Sequence, residues 1–72
     1  MKLSIIIVNY NTYNLTKQTI DSIIQKQHPF QYEILLVDNA SSDGSIEILQ
    51  KEFSDIISKR ILQVFINEAN LG

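Results

Sequence analysis

Residues 33–45, Glu-Ile-Leu-Leu-Val-Asp-Asn-Ala-Ser-Ser-Asp-Gly-Ser, constrain what this chain can fold into more than any other stretch. Four apolar residues, Ile34 to Val37, run directly into Asp38. A polar stretch of small residues follows, and an amphipathic pattern starts at Ile46. A buried strand that ends on a carboxylate and turns tightly into a helix is how open α/β sheets build a crevice outside the carboxyl end of a parallel strand. A carboxylate placed there can accept a hydrogen bond from a base or a sugar hydroxyl, and the helix N-terminus that follows favours anionic groups. The segment points to a nucleotide or nucleotide-sugar site.

The rest of the chain repeats the same kind of unit. Ser4 to Val8 is a β-branched run bounded by Asn9, which predicts a strand buried on both faces. Asn11, Thr12 and Asn14 are competent N-caps, so a helix is expected from Thr12 to Leu15 onward, with Leu15, Ile20, Ile23 and Ile24 as its apolar stripe. Pro29 is expected to end it, since the residue before a proline is pushed out of the helical region, and His28 then falls in the last turn. Tyr32 to Val37 makes the second strand. Ile46, Leu49, Phe53, Ile56 and Ile57 keep one face of a 3.6-residue period and predict a single second helix. Arg60 to Ile66 makes a third strand, and residues 67–72 form a turn.

The order βαβαβ implies parallel strands joined by right-handed crossovers, lying 3-2-1 across one sheet with both helices on one face. The other face is the difficulty. The first two strands carry apolar residues pointing both ways, and two helices cover only one side, so the chain reads as half of something larger. An uncovered sheet face and an unpaired edge predict self-association, as a homo-oligomer through that face or edge.

Composition removes several classes. The 72 residues make one small domain, with no cysteine for a disulfide or a thiolate metal site and a single histidine. Absence of cysteine fits a reducing cytoplasm. The six basic residues are scattered and the net charge is −2, which argues against a nucleic-acid partner. No apolar run approaches the roughly 20 residues needed to cross a bilayer. The apolar N-terminus is short, runs into Asn9-Tyr10-Asn11, and is followed by no small-residue cleavage site, so it predicts a strand and not a signal peptide.

Three spaced motifs, Ser4-Ile-Ile-Ile-Val-Asn-Tyr-Asn11, Ile34-Leu-Leu-Val-Asp-Asn-Ala-Ser-Ser-Asp43 and Asn67-Glu-Ala-Asn-Leu-Gly72, resemble the N-terminus of a family 2 glycosyltransferase. Their wording is most similar to the rhamnosyltransferase-like branch. The resemblance implies a Rossmann-like half of a GT-A fold, with residues 1–72 as the N-terminal nucleotide-binding portion of an enzyme that moves a sugar, with inversion, from a nucleoside-diphosphate sugar to an acceptor hydroxyl. It implies that Val8, Asn9 and Tyr10 line the base pocket, with the tyrosine ring on the base. It further implies that Asp38, beside Asn39, accepts from a pyrimidine ring nitrogen, and that Asn70-Leu71-Gly72 begins the segment closing over the nucleotide. A donor for Asp38 also has a physical motive, because a buried, unpaired carboxylate costs several kcal/mol.

The family's metal-binding Asp-x-Asp, which holds Mg²⁺ or Mn²⁺, and its catalytic base come later in the chain than Gly72. The expectation is therefore a fragment without activity of its own, binding no metal itself and drawn from a full-length enzyme that uses one. That enzyme is expected to be cytoplasmic, with the inner membrane face as a peripheral station. Asp43 is expected at the helix N-terminus, where the dipole favours it, and not as a metal ligand. A bland alternative stands beside each assignment: Asp38 as a cap of the loop 39–42, Tyr10 as a packing residue at the sheet rim, Asn9 and Asn11 as turn and cap residues. Two rival classes remain open, a non-catalytic α/β module binding nucleotide or protein and a flavodoxin-like or dinucleotide-binding fragment. The second is weakened because no Gly-x-Gly-x-x-Gly follows the first strand.

Overall fold

A computed structural model describes residues 2–67. Three parallel strands form one sheet in the order β1-β2-β3: β1 Lys2–Asn9, β2 Gln31–Asn39 and β3 Leu62–Asn67. Between them lie α1 Tyr13–Gln25, α2 Ser45–Glu52 and α3 Ser54–Ser58. The expected α/β architecture and strand order hold. Ladder register pairs Ile5, Ile7 and Asn9 with Ile34, Leu36 and Asp38, and pairs Ile34 and Leu36 with Leu62 and Val64.

Because side chains alternate across a strand, that register fixes two faces. Ile34, Leu36 and Leu62, with Ile7 and Val64, pack against Ile20, Ile46, Leu49 and Phe53 from the helices, and this is the core. The opposite face carries Ile6, Val8, Leu35, Val37 and Phe65, of which Ile6 is 67% and Val8 60% exposed. The first strand is therefore covered on one face only. A β-branched run of this kind matches a doubly covered strand in composition, but two crossover helices supply cover for one side. Nearer the strand starts the open face is polar: Glu33 accepts from the Ser4 hydroxyl at 2.5 Å and from Gln63 at 3.2 Å, and pairs with Lys2 at 3.4 Å.

Three expectations about the helices change in detail. α1 stops at Gln25, with Lys26 already extended, four residues before the proline. His28 lies beyond the helix but reaches back, its Nε2–H donating to the Ile23 carbonyl at 2.9 Å, so the ring caps the last turn from outside while it packs against Tyr32. Leu15 is 64% exposed; the buried face runs through Tyr13, Thr16, Ile20, Ile23 and Ile24, which keep the helical period while Leu15 sits about 100° round from Thr16. The second helical stretch is broken at Phe53 (φ −108°, ψ 24°), although its expected apolar face survives.

Arg60 does not open the third strand. It holds φ 62°, with its N–H on the Ile57 carbonyl (3.0 Å) and the Ile61 N–H on the Ile56 carbonyl (2.9 Å). These two bonds are the Schellman pattern that closes a helix on a left-handed residue, and arginine occupies the position where glycine is usual. β3 then starts at Leu62.

Candidate functional site

At the carboxyl ends of β1 and β2, two short loops meet over a buried polar cluster. Asn9, the last residue of β1, is fully buried with its side chain on the helix side of the sheet. Its Nδ2 donates to Asp38 Oδ1 and Ser45 Oγ, each at 2.8 Å, and lies 3.1 Å from Ser41 Oγ. Its Oδ1 accepts from Thr16 Oγ1 at 2.7 Å and from Thr12 Oγ1 at 3.2 Å. One amide thus ties β1 to β2, to the start of α1 and to the start of α2. Thr12 stands at the N-cap position of α1 without capping through its side chain, because its hydroxyl is turned to Asn9 and Thr16.

Asp38 is 2% exposed. Its Oδ1 accepts from Asn9 and from the Ser41 hydroxyl at 2.6 Å, and its Oδ2 accepts from the Ser41 backbone N–H at 3.2 Å. Ala40 takes φ 61°, and that left-handed step folds Ser41 back over the carboxylate. Every buried polar side-chain atom among the described residues has a partner, as a low-dielectric site requires.

Outside the cluster, Asn11 (φ 52°) clasps the two loops together. Its N–H donates to Ser41 Oγ at 3.0 Å, and its Oδ1 accepts from the N–H groups of Ser42 (2.9 Å) and Asp43 (3.2 Å). Asp43 Oδ1 in turn accepts the Ser45 N–H at 3.0 Å, and the Ser45 hydroxyl and N–H hold the Asp43 carboxyl below the usual carboxylate range. Three backbone donors around the start of α2 are thereby satisfied within the protein. Gly44 is the N-cap residue of α2 with φ 73°.

The structure therefore sorts the expected site residues into layers. Asn9 and Asp38 are together in the buried cluster. Val8, on the open sheet face, and Tyr10, 46% exposed, lie outside it, and Asn39 is half-buried at the end of β2. Asn70 lies outside the described residues. Thr12, Thr16 and Ser45 belong to the cluster without having been assigned to a site from sequence. The available signal was a pair of hydroxyls one helical turn apart, Thr12 and Thr16, and a second such pair, Ser41 and Ser45, each flanking a helix start.

A second polar group lies away from this site. Glu52 accepts from the Tyr13 hydroxyl and pairs with Lys17 at 2.9 Å, joining α1 to α2. The hydroxyl and the ammonium lower the Glu52 pKa, and Glu52 raises those of Tyr13 and Lys17. Among the described residues no three His, Cys, Asp or Glu side chains gather to hold a metal ion, no enclosed pocket forms, and no helix is long and apolar enough to cross a membrane.

Parallel strands with a buried carboxylate at the end of the middle one form a Rossmann-like α/β half, and the strand ends are the edge at which open sheets of this kind place ligands. Residues 4–72 match glycosyl transferase family 2, and the chain belongs to that family as an N-terminal portion. It is 36% identical over 61 residues to a poly(ribitol-phosphate) beta-glucosyltransferase of Bacillus spizizenii, covering 79% of this chain and 10% of that protein. It is 33% identical over 66 residues to the putative teichuronic acid biosynthesis glycosyltransferase TuaG of Bacillus subtilis, covering 92% of this chain and 25% of that protein. An uncharacterized glycosyltransferase of Mycoplasma genitalium, MG060, is also 33% identical over 66 residues, covering 90% and 22%. The chain spans between a tenth and a quarter of the length of these relatives.

Proposed function

We propose that this chain recognises the nucleoside-diphosphate part of a sugar donor for an inverting glycosyltransferase, and that Asp38 is its base-reading group. The observation that carries the reading is the placement of Asp38: a carboxylate at the carboxyl end of the central parallel strand, held by Asn9 and Ser41, with the exposed Tyr10 next in the chain after Asn9, its ladder partner. A carboxylate and an exposed aromatic residue at the same strand-end edge suit a flat heterocycle with a ring N–H. Stacking on such a ring is worth about 1–3 kcal/mol per base in single-strand binders. Val8 and Asn39 border the same edge, Asn9 acts from beneath through Asp38, and Asn70 belongs to the reading as the start of a closing segment.

In this reading the whole enzyme works in the cytoplasm and uses a divalent metal, Mg²⁺ or Mn²⁺, which when bound would neutralise the diphosphate. None of the described residues is assigned to that metal. The apolar half of the open sheet face supports pairing with a second copy of the chain.

Calorimetric titration with a uridine-diphosphate sugar tests the base-reading role. Asp38→Ala is expected to weaken binding by roughly 1–3 kcal/mol, the cost of leaving a desolvated donor unpaired. Asp55→Ala, on an exposed helix position, is expected to leave it unchanged. Equal effects of the two substitutions would remove Asp38 from the role.

A further inference from the structure

The six basic residues are scattered along the sequence, but the fold gathers four of them, Lys2, Lys26, Lys59 and Arg60, at one end of the sheet. Lys2 opens β1, Lys26 follows the last residue of α1, and Lys59 and Arg60 follow α3 just ahead of β3. Crossover helices run against the parallel strands they join, so helix ends and strand starts share one edge. Adjacent strands lie about 4.8 Å apart, so the three strand starts span roughly 10 Å. Lys26, Lys59 and Arg60 are exposed, and among the described residues none of them enters an ion pair. Lys2 is offset by Glu33 at 3.4 Å, and Asp55 stands one helical turn back from Lys59. The opposite edge has the other sign: residues 9–16 and 38–48 carry Asp38, Asp43 and Glu47 and no lysine or arginine. A chain of net charge −2 is thus polarised along its strands.

Apolar side chains are exposed at the basic edge as well. Leu3 is 40% and Phe30 37% exposed. Phe30 lies in the connection from Lys26 to Gln31, with its ring 5.9 Å from that of His28. His28 packs on Tyr32 and donates to the Ile23 carbonyl, so the connection is held to the end of α1 while Phe30 stays exposed. We propose that this strand-start edge docks on an anionic lipid surface, with Lys26, Lys59 and Arg60 over lipid phosphates and Phe30 and Leu3 entering the interfacial layer. Affinity for such a surface scales with the apolar area buried plus the attraction to anionic lipids, and this edge offers both. A nucleic-acid backbone is the poorer fit, since it would leave Leu3 wet and find only a short track of cations. The polarity of the chain orients the contact: only the basic edge is attracted, and the carboxylates of the strand-end edge are kept away from the lipid charge. Each Lys or Arg near the surface contributes about fivefold in affinity.

The proposal is independent of the nucleotide reading, and its test uses no nucleotide. The chain is co-sedimented at low salt with vesicles of phosphatidylcholine, with and without phosphatidylglycerol. The native chain is expected to pellet with the anionic vesicles, to stay in solution with the neutral ones, and to be released as salt is raised. Lys26→Gln and Lys59→Gln are each expected to weaken binding about fivefold. Lys51→Gln makes the same charge change on an exposed position of α2, away from this edge, and is expected to do much less. Phe30→Ser leaves the charge unaltered and is expected to weaken binding as well. All four positions are exposed, and circular dichroism checks that each variant keeps its fold. Equal losses from Lys51→Gln and Lys26→Gln would assign the attraction to net charge and overturn the proposal. An unchanged affinity in Phe30→Ser, or no preference for anionic vesicles, would also overturn it. Tighter binding to a uridine homopolymer than to the vesicles would give this edge to nucleic acid instead.

Discussion

Replacing Asn9 by alanine should cost this fold more than any single change on its surface. The amide contacts five side chains, one of them a carboxylate, and three of the five, Asp38, Thr16 and Ser45, are buried away from water as Asn9 itself is. The losses are unequal. The Thr12 and Thr16 hydroxyls remain bonded to one another, and Thr16 can rotate to a carbonyl of the preceding turn, so they recover most of their loss. Ser45 keeps Asp43 as a partner. Asp38 Oδ1 keeps Ser41 but loses a donor to a charged oxygen, worth about 1.5–3 kcal/mol. The side-chain cavity and one incompletely paired hydroxyl add about 1–2 kcal/mol. The sum is about 2.5–5 kcal/mol. A domain of 72 residues has roughly 4–11 kcal/mol in total, so the variant should lose a large fraction of its stability, about half at the middle of both ranges. Urea unfolding followed by circular dichroism measures this directly. Leu15→Ala, at an exposed position, is the control and should stay within about 0.5 kcal/mol. A loss below about 1 kcal/mol for Asn9→Ala would mean that the cluster contributes little net free energy and that the argument from desolvation is wrong. The double variant Asn9→Ala/Asp38→Ala should cost less than the sum of the two single ones, because each removes the other's unpaired partner.

Arg60→Gly should stabilise the fold by about 0.5–1 kcal/mol, the left-handed strain relieved less the entropy glycine adds to the unfolded chain, and the same urea experiment checks it. Glu33, Asp43 and Glu52 all have lowered pKa values, through the Ser4 hydroxyl, the Ser45 hydroxyl and the Tyr13 hydroxyl respectively. Their contribution is present above the ordinary carboxylate range and is lost as pH falls through the depressed values, so Glu52→Gln should flatten part of the acid limb of a stability-versus-pH curve. Tyr13 and Lys17 shift upward, so their share is present below pH about 10 and disappears as pH rises through the raised values, an alkaline loss that the same Glu52→Gln variant should remove. Ile6→Lys, in the middle of the open apolar face, should shift sedimentation of the chain from dimer to monomer at micromolar concentration; a native chain that sediments as a monomer would refute the pairing.

The elements and their order were legible in the sequence because the apolar runs Ile5–Val8 and Ile34–Val37 and the stripe from Ile46 to Ile57 each carry one unambiguous period. Strand 3-2-1 order follows from short crossovers alone. What composition did not reveal is how many sides of a strand are covered: Ile6 and Val8 are as apolar as their buried neighbours, and only the count of helices distinguishes them. The stop at Gln25 was hidden because His28 caps α1 through space and not through the chain. Arg60 read as a strand start because an arginine gives no sign of a left-handed backbone. Asp38 stood out as the end of an apolar run, whereas Thr16 and Ser45 did not, since a hydroxyl near a helix start is ordinarily a cap. Their actual partner, Asn9, is 7 and 36 residues away.

The even spacing of the ladders bears on how the chain reaches this structure. β1 pairs with β2 across 29 residues and β2 with β3 across 28, so closing either loop from the unfolded chain differs by only about 0.03 kcal/mol. Chain length gives neither pairing a head start, and β2 is the strand both must find. The Asn9 amide cannot complete its bonds until the starts of both α1 and α2 have arrived, which places it after whichever ladder forms first. A contact assembled that late governs escape from the native state and not entry into it. Loss of the amide should therefore appear almost wholly as faster unfolding, with the refolding limb of the chevron unmoved.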